Sequence, residues 1–563
     1  MNFFKTPYII ACVLIFIAVS CASQQKLARK TEMVFENGEY AKAAEMLERL
    51  LENEKSKSNQ ALYNFQLGEC YRNLNNSRKA EAAYRKAIRL KTREKEAYYW
   101  AGYMQLKNEK YKEALESFKA YKKAMPKDPR GQIGIESVAA AQEWVEKPTR
   151  YIVENVKPVN SREHDFCPAY MSEDFLSIYF TSSRVEEDVK QTLNQVSGMF
   201  TTQLYEARID RKGVWNKPVK LLDTTLNTEF DNGALASSPD GTTVYYTICK
   251  SEIGKNIGCQ IYTSLLRGGV WTSPQRIDIV GDSISIGHPS ISADGLELYF
   301  ASRMEGGLGG SDIWKSQRIS ESAPWGEPVN LGPTINTMGD EDFPYIREDG
   351  ILFFSSNGMV GMGGFDIFRA IKDDAGKWAV ANMLYPVNSP QDDFAIIFQG
   401  YKEKGLFTSN RKGGRGEDDI YSFELPDLQL AVNGKLRDMS TKKAIADAEI
   451  LLIGSDGSRQ STRSKEDGSY SFKLNQYVDY IVLGTYQGYL KKKMSVSTRD
   501  VFDNITFDVD INLITMAKPV EIPNIFYESG KWNLTEESKK AVEELGKLLD
   551  DNPNIVIEIG AHT

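Results

Sequence analysis

Apolar residues follow a helical period in the N-terminal part of the chain and a strand-like period over most of the remainder. Up to about residue 147 they recur every three or four positions, as Ala43, Leu47 and Leu50 do, which is the pattern of one buried helix face. From about residue 150 the period falls to two, which is typical of half-buried strands. The pattern therefore predicts a multidomain protein, with an all-α part followed by all-β parts.

The helical part repeats itself at a spacing of 34 residues. The pairs at this spacing are Gly68 with Gly102, Ala80 with Ala114, and Tyr84 with Phe118, and Pro126 follows the last unit. Small residues at fixed places allow two helices to approach closely, as stacked hairpins require. The pattern resembles the tetratricopeptide repeat, and a less regular unit around Gly38 brings the number to about three. The resemblance implies a protein-binding solenoid over residues 21–147.

A second repeat begins near residue 150. Five runs join aromatic or aliphatic residues to small polar ones, at residues 179–182, 245–247, 299–302, 353–356 and 406–409. Their first residues are 66, 54, 54 and 53 positions apart, and three runs follow an Asp-Gly turn, a strong hairpin signal. Four strands in each repeat predict a β-propeller over residues 148–426.

The sequence of these runs resembles the WD40-like repeat of TolB-type periplasmic propellers. The fifth unit lacks its last strand, whereas residues 151–160 stand before the first unit as an unpaired copy of that strand. We therefore expect five blades, with the N-terminal strand completing the last blade so that no sheet edge is left open. Six blades are the alternative.

Two smaller modules follow. Strand-like segments separated by the turns Asp456-Gly457 and Asp467-Gly468 predict a β-sandwich over residues 427–514. Residues 434–436 and 466–472 resemble the carboxypeptidase regulatory-like domain, which implies a module without a catalytic centre. Residues 515–563 indicate a strand at 524–527, a helix capped near Thr535 and a strand at 555–560.

This last segment resembles the opening of an OmpA-like peptidoglycan-binding domain, an α/β fold, through Phe526-Tyr527, Gly530-Lys531 and residues 557–563. The resemblance implies peptidoglycan as a partner. In that family, an Asp directly after a His-Thr or similar pair and an Arg on a later helix bind the diaminopimelate of stem peptides. Here the pair is His562-Thr563, so we expect the peptidoglycan-binding residues after Thr563, in a longer protein.

The first 20 residues are a predicted signal peptide. Lys5 supplies the positive charge, residues 8–19 form an apolar run too short to span a bilayer, and Ala18-Val19-Ser20 precede Cys21. The arrangement resembles the lipobox of bacterial lipoproteins, which implies acylation of Cys21 and a membrane anchor. An ordinary secretory peptide is the alternative. By resemblance to known sorting rules, residues 22–25 favour the periplasmic face of the outer membrane.

After removal of the signal peptide and lipidation of Cys21, four cysteines remain: Cys70, Cys167, Cys249 and Cys259. The periplasm is oxidising. Cys249 and Cys259 flank a Gly-containing segment between two strand-like runs, which predicts a disulfide across a hairpin, with two free buried thiols as the alternative. Because the sequence has no Cys-x-x-Cys pair, it suggests neither zinc nor thioredoxin chemistry.

Charge and side-chain chemistry argue against nucleic-acid binding and catalysis. A net charge of -8 does not provide the broad basic surface that nucleic acids require. His164, His288 and His562 lie in three different predicted repeats or domains, which argues against a His-based triad or a multi-His metal site. Carboxylates at 340–342, 392–393 and 417–419 could be glycosidase acids or calcium ligands, but their repeated place at blade junctions favours turns. We predict no catalytic residue, metal or cofactor.

Two other repeated features have two interpretations each. Gly-rich segments at 306–310, 361–364 and 413–416 resemble phosphate loops, but each lies between two predicted strands, so we interpret them as hairpin loops. Trp215, Trp271, Trp325 and Trp378 could stack on sugars, but their fixed place in the blades favours packing.

The order of the modules resembles the PorE-type outer-membrane lipoproteins of the type IX secretion system in Bacteroidetes. The resemblance implies a non-catalytic scaffold that ties the secretion apparatus to peptidoglycan. Its other partners would be the membrane, through the lipid anchor, and envelope proteins, through the repeats and the propeller. The alternatives are an OmpA-family wall tether without a role in secretion and an exported propeller glycosidase or peptidase.

Overall fold

A computed structural model describes residues 24–185, 193–194, 196–221, 225–252, 255–517 and 534–557. The chain divides into two compact units between Leu425 and Pro426. The first unit contains the helical repeats and the propeller, and the second contains the sandwich and one helix. The predictions for Cys21, for the strand at 524–527 and for residues 558–563 lie outside the described residues.

The first unit begins with antiparallel helices in the order predicted from the 34-residue repeat. They are α1 (24–36), α2 (Tyr40–Asn53), α3 (Lys57–Asn73), α4 (Ser77–Arg89), α5 (Glu96–Lys107), α6 (Tyr111–Ala124) and α7 (Arg130–Glu146). The side chains of Ser56 and Asn76 cap α3 and α4 by accepting hydrogen bonds from the first turn.

The repeated small residues are where helices meet most closely. A Cβ atom on Gly68 would lie 2.6 Å from the ring of Tyr84, and one on Gly102 would lie 3.0 Å from the ring of Phe118. Both rings are fully buried. The spacing of small and aromatic residues in the sequence therefore encodes the contact between the two helices of each hairpin.

Five antiparallel sheets of the same strand order follow, and they are the predicted blades. Blade 1 is β2 (Asp165–Tyr170), β3 (Ser177–Ser182), β4 (Gln203–Arg208) and β5 (Val219–Lys220). Blade 2 is β6 (Asp231–Ser237), β7 (Thr243–Glu252), β8 (Lys255–Arg267) and β10 (Gln275–Arg276), with β9 (Val270–Trp271) also paired to β8. Blade 3 is β11 (Ile286–Ile291), β12 (Glu297–Ser302), β13 (Asp312–Gln317) and β14 (Val329–Asn330). Blade 4 is β15 (Glu341–Ile346), β16 (Leu352–Ser356), β17 (Asp366–Lys372) and β18 (Trp378–Asn382). Blade 5 is β19 (Asp393–Phe398), β20 (Lys404–Ser409), β21 (Asp419–Glu424) and β1 (Ile152–Asn155).

The blades close into a ring. Each innermost strand contacts the innermost strand of the next blade, and β19 of the last blade contacts β2 of the first. The N-terminal strand β1 completes blade 5 by pairing antiparallel with β21. The described residues thus form a five-bladed propeller, as the missing strand of the fifth repeat predicted, and the six-blade alternative does not apply to them.

Every innermost strand carries the same β-bulge, which the sequence did not reveal. At each bulge a residue other than glycine has a positive φ: Cys167 (50°), Ala234 (45°), His288 (53°), Phe343 (53°) and Ala395 (53°). Such residues normally cost about 1–3 kcal/mol. In three blades the bulged N–H donates to a threonine hydroxyl of the preceding blade, namely Thr408, Thr181 or Thr247, at 3.0–3.1 Å. The bulges therefore join neighbouring blades.

The second unit is a sandwich of two four-stranded sheets. One contains β22 (Leu430–Asp438), β25 (Ser469–Leu474), β28 (Ile505–Asp508) and β29 (Ile511–Leu513). The other contains β23 (Glu449–Gly454), β24 (Arg459–Arg463), β26 (Asp479–Thr485) and β27 (Lys492–Ser497). Alternate residues of the facing strands, such as Val432, Ile450 and Val482, are fully buried between the sheets.

Helix α8 (Glu536–Asp551) follows the sandwich and begins where the sequence predicted a cap. The Thr535 hydroxyl accepts a hydrogen bond from the Ser538 amide at 3.2 Å. After the helix, the Asn552 side chain bonds both the N–H and the C=O of Lys491, at 2.7 and 2.9 Å. Residues 555–557 are irregular, although the sequence predicted that a strand would begin at Ile555.

Candidate functional site

The two faces of the propeller ring differ in what they present. Because every blade has the same strand order, all innermost strands start at one face and end at the other. The first face also carries the Gly-rich loops between second and third strands, and we call it the loop face. The second carries the Asp-Gly turns and is called the turn face. Helices α5 and α7 pack against the loop face, and an axial cavity opens at the turn face.

A buried ion pair joins the repeats to the loop face. Lys107 ends α5 with its side chain only 4% exposed, and its Nζ lies 2.8 Å from both carboxylate oxygens of Asp392. The same ammonium donates to Oδ1 of Asn75 at 2.9 Å. Burial by itself raises the pKa of Asp392, but Lys107 outweighs burial and holds that pKa below its usual value. Asp392 is therefore ionised and paired at neutral pH.

The Gly-rich loop of blade 4 inserts an apolar side chain into the helical repeats. Met362 is 0% exposed and packs with residues of α5, α6 and α7, including Tyr99 and Phe118. The amide of Gly361 donates to Oγ of Ser137 on α7 at 3.1 Å. This part of the helical surface is therefore occupied by the protein's own propeller.

The Gly-rich loops surround carboxylates of the chain itself. Backbone amides of Leu308 and Met362 donate to Oδ2 of Asp312 and Asp366, at 2.6 and 2.7 Å, and the amide of Arg415 donates to Asp419 in the same way. A Cβ on Gly361 would lie 2.6 Å from Asp366 Oδ2, which explains why glycine is needed there. The three segments are hairpin loops, as predicted, and their amides are already bonded.

The clustered carboxylates take structural positions between the blades. Glu341 is fully buried and accepts hydrogen bonds from the Thr337 amide, the Thr337 hydroxyl and the Ser356 hydroxyl, at 2.6–2.7 Å. Burial raises the pKa of Glu341 to about 7, against the effect of these bonds. Asp393 accepts from Ser389 at 2.6 Å and from Arg411 at 2.5 Å. These contacts agree with the turn interpretation of the clusters.

Two histidine–carboxylate pairs were missed by sequence reasoning. His164 Nδ1 lies 2.6 Å from Asp418, and His288 Nδ1 lies 3.2 Å from Asp342. Burial lowers the pKa of His164, but the hydrogen bond to Asp418 outweighs it, so the net shift is upward. The partners are 254 and 54 residues apart, and only ring closure or blade packing brings them together. No local signal in the sequence could have identified them.

The axial cavity at the turn face has a volume of about 160 Å³. The ends of all five innermost strands line it, and the aromatic residues among them and the following turns are Tyr170, Phe175, Phe343, Tyr345 and Phe398. Burial raises the pKa of Tyr345 to about 12 and the pKa of Cys167 well above its usual value, so both are neutral. His288 also lines the cavity and stacks on Phe343, with ring centres 3.9 Å apart.

The charged residues at the cavity lie at its rim. Glu173 and Glu348 are exposed, whereas the Arg347 side chain is 6% exposed and pairs with Asp349 and Glu403 at 2.8 and 3.1 Å. Within the described part of the chain, neither Glu173 nor Glu348 forms an ion pair. No group of three or more metal-ligating side chains occurs among the described residues.

Cysteines and tryptophans complete the predicted features. Cys249 and Cys259 lie directly opposite each other in β7 and β8 and form a disulfide, with Cα atoms 4.0 Å apart. The guanidinium of Arg318 covers the ring of Trp325 at 4.4 Å, and the ammonium of Lys372 covers Trp378 at 4.6 Å. Those two ring faces are therefore occupied by cations of the same blade.

Comparisons with known proteins support the helical assignment most directly. Residues 65–129 match the tetratricopeptide repeat family. A search of curated proteins found no match. No described helix combines the length and apolar character that crossing a membrane requires.

Similar solved structures include a tetratricopeptide domain, an endo-arabinase and a TolB-type protein. A tetratricopeptide domain is 20% identical, with 23% of this chain and 35% of that chain covered and a TM-score of 0.21. An endo-arabinase from Bacteroides thetaiotaomicron is 16% identical, with 47% and 98% of the two chains covered and a TM-score of 0.32. A TolB-type protein from Agrobacterium tumefaciens is 14% identical, with 57% and 97% covered and a TM-score of 0.29.

Proposed function

We propose that this protein is a non-catalytic scaffold, lipid-anchored through Cys21 at the periplasmic face of the outer membrane. In this proposal it ties an envelope complex, the type IX secretion apparatus, to peptidoglycan. The observation that carries the scaffold role is the junction formed by Lys107, Asp392 and Met362. It joins a tetratricopeptide domain to a propeller, so one compact unit offers two kinds of protein-binding surface.

The use of acidic and imidazole groups supports a non-catalytic role. Glu341, Asp393 and His164 would be the natural candidates for acid–base catalysis, but Glu341 is bonded to Ser356 of its own blade, Asp393 to Arg411 and His164 to Asp418. The anchor rests on the lipobox-like residues before Cys21, and the wall contact rests on the OmpA-like residues after Phe526. The link to secretion rests on the order of the modules.

A deletion strain of the source bacterium tests the anchor and the secretion role together. The strain is complemented with the natural gene carrying either no change, Cys21→Ser or Cys12→Ser, and is fed labelled palmitate. We expect the label on the unchanged protein and on Cys12→Ser, because Cys12 leaves with the signal peptide, and no label on Cys21→Ser. We also expect secretion of a type IX cargo to fail in the deletion strain.

Other outcomes separate the alternatives. If Cys21→Ser keeps the label, the anchor proposal is wrong. If the deletion leaves cargo secretion intact but weakens attachment of the outer membrane to the wall, the protein is a tether without a role in secretion. If the strain instead loses a glycan- or peptide-hydrolysing activity, the enzyme alternative replaces the scaffold.

A further inference from the structure

The proposed scaffold role does not involve the axial cavity, although the cavity has a distinct size, lining and charge. We propose that it binds a partner protein's segment in which an aromatic side chain is flanked by lysine or arginine. The ring enters the cavity, and the cations lie at the rim beside Glu173 and Glu348. This inference does not rest on the anchor or on the wall contact.

The size of the cavity selects one aromatic ring. Apolar protein cavities of about 150 Å³ hold a benzene molecule, and this cavity measures about 160 Å³. It opens to solvent at the turn face, so the remainder of a ligand would stay outside. The occupant is therefore a side chain of a longer molecule.

The lining favours a ring over a sugar. Tyr170 and Phe175 meet edge to face with centres 5.2 Å apart, and Tyr345 stacks against Phe398 at 6.0 Å. A further ring can join such a cluster in the same geometries. The rim hydroxyls of Ser172 and Ser238 already donate to Asp174 and Asp240 of their own turns, at 2.6 and 2.5 Å. These two hydroxyl groups are therefore not available to a sugar, whose own hydroxyls would lose hydrogen bonds with water on entering the aromatic part of the cavity.

The charge at the rim selects cations beside the ring. Arg347 is already paired twice, with Asp349 and Glu403. Glu173 and Glu348 remain as exposed carboxylates without an ion-pair partner in the described chain, and Glu348 accepts a hydrogen bond from the hydroxyl of Tyr401. A lysine or arginine here gains attraction from both carboxylates and from the aromatic faces, whereas an acidic segment is repelled.

Three tripeptide probes with blocked ends test the proposal on the full chain: Lys-Trp-Lys, Glu-Trp-Glu and Lys-Ala-Lys. Binding is measured by calorimetry and by saturation transfer to the peptide protons. We expect Lys-Trp-Lys to bind at least about tenfold more tightly than either other probe, and to weaken when salt is raised, since screening reduces rim attraction. Equal binding of Lys-Trp-Lys and Glu-Trp-Glu, or no binding of Lys-Trp-Lys, would overturn the proposal.

Variants locate the binding. Glu173→Gln combined with Glu348→Gln should remove the preference for Lys-Trp-Lys over Glu-Trp-Glu, while Glu305→Gln with Glu417→Gln, the same charge change near the loop face, should leave it intact. Ala236→Phe fills the cavity and should abolish binding of the tryptophan ring while the thermal unfolding transition is retained. If both control and rim variants lose the preference equally, the peptide binds elsewhere and the proposal fails. The two rim substitutions are at exposed sites, so they decide the matter even if Ala236→Phe does not fold.

Discussion

Replacing Lys107 with methionine tests whether the buried ion pair fixes the helical repeats on the propeller. Methionine keeps most of the side-chain stem and removes the ammonium group. Asp392 would then keep two neutral hydrogen bonds, from Asn410 at 2.9 Å and from the Phe365 amide at 3.0 Å, but no cation. Removing one partner of a buried pair typically costs about 3–5 kcal/mol. Because these two bonds remain, we expect the lower end, about 3 kcal/mol.

Hydrogen exchange followed by mass spectrometry measures this change where it occurs. A loss of about 3 kcal/mol raises the local opening constant roughly a hundredfold, and we expect it in α5, in α7 and in residues 361–364. Lys412→Met is the matched control, because the pair of Lys412 with Glu109 at the same junction is exposed. It should cost at most about 1 kcal/mol.

The double variant Lys107→Met with Asp392→Asn distinguishes the ion pair from simple packing. It removes the unpaired buried charge, so exchange should return most of the way to the wild-type rate. The pKa of Asp392 is lower in the folded protein than the unfolded value of 3.8. The ion pair therefore stabilises the junction fully above pH 3.8, and this stabilisation is lost as pH falls through the lower pKa of the folded protein. Unchanged exchange in Lys107→Met, or no recovery in the double variant, would refute this account of the junction.

Three further predictions concern stability. Burial raises the pKa of Glu341 from 4.5 to about 7, so the stabilising neutral form of this side chain is lost as pH rises through 7. Urea unfolding should therefore show Glu341→Gln to be more stable than wild type by up to about 3 kcal/mol at pH 8.5 and equal to it near pH 4.5. Gly68→Ala should destabilise the helical repeats by about 1–3 kcal/mol in thermal melts because its Cβ meets the Tyr84 ring, whereas Gly546→Ala, with open space around it, should be neutral or stabilising. Cys249→Ser should cost blade 2 roughly 2–3 kcal/mol, since the disulfide closes a loop with a sequence separation of 10, and a reductant should then destabilise wild type but not the variant.

Features that repeat along the chain could be predicted from the sequence. The contact of Gly68 with Tyr84 recurs as Gly102 with Phe118, and the missing strand of the fifth repeat identified residues 152–155 as its replacement. Both predictions follow from local sequence patterns that recur in several repeats.

Features that occur once, across distant segments, could not be predicted. Lys107 and Asp392 are 285 residues apart, and the position 34 residues before Lys107 is Asn73, so the repeat does not mark the lysine as special. The cavity lining depends on bulges at residues such as Cys167 and Phe343, whose types normally avoid a positive φ. Only the closed ring supplies the hydrogen bonds and packing that offset that cost.

Co-sedimentation with purified peptidoglycan tests whether the protein binds the cell wall. The chain ending at Thr563 is compared with the same chain extended through a complete C-terminal domain, each mixed with purified sacculi and centrifuged. If the protein is a wall-bound scaffold, we expect the extended protein to pellet with the wall and the shorter chain to stay in solution. If neither protein pellets, the chain is not a wall tether, and a ligand must be sought at the propeller and the helical repeats instead.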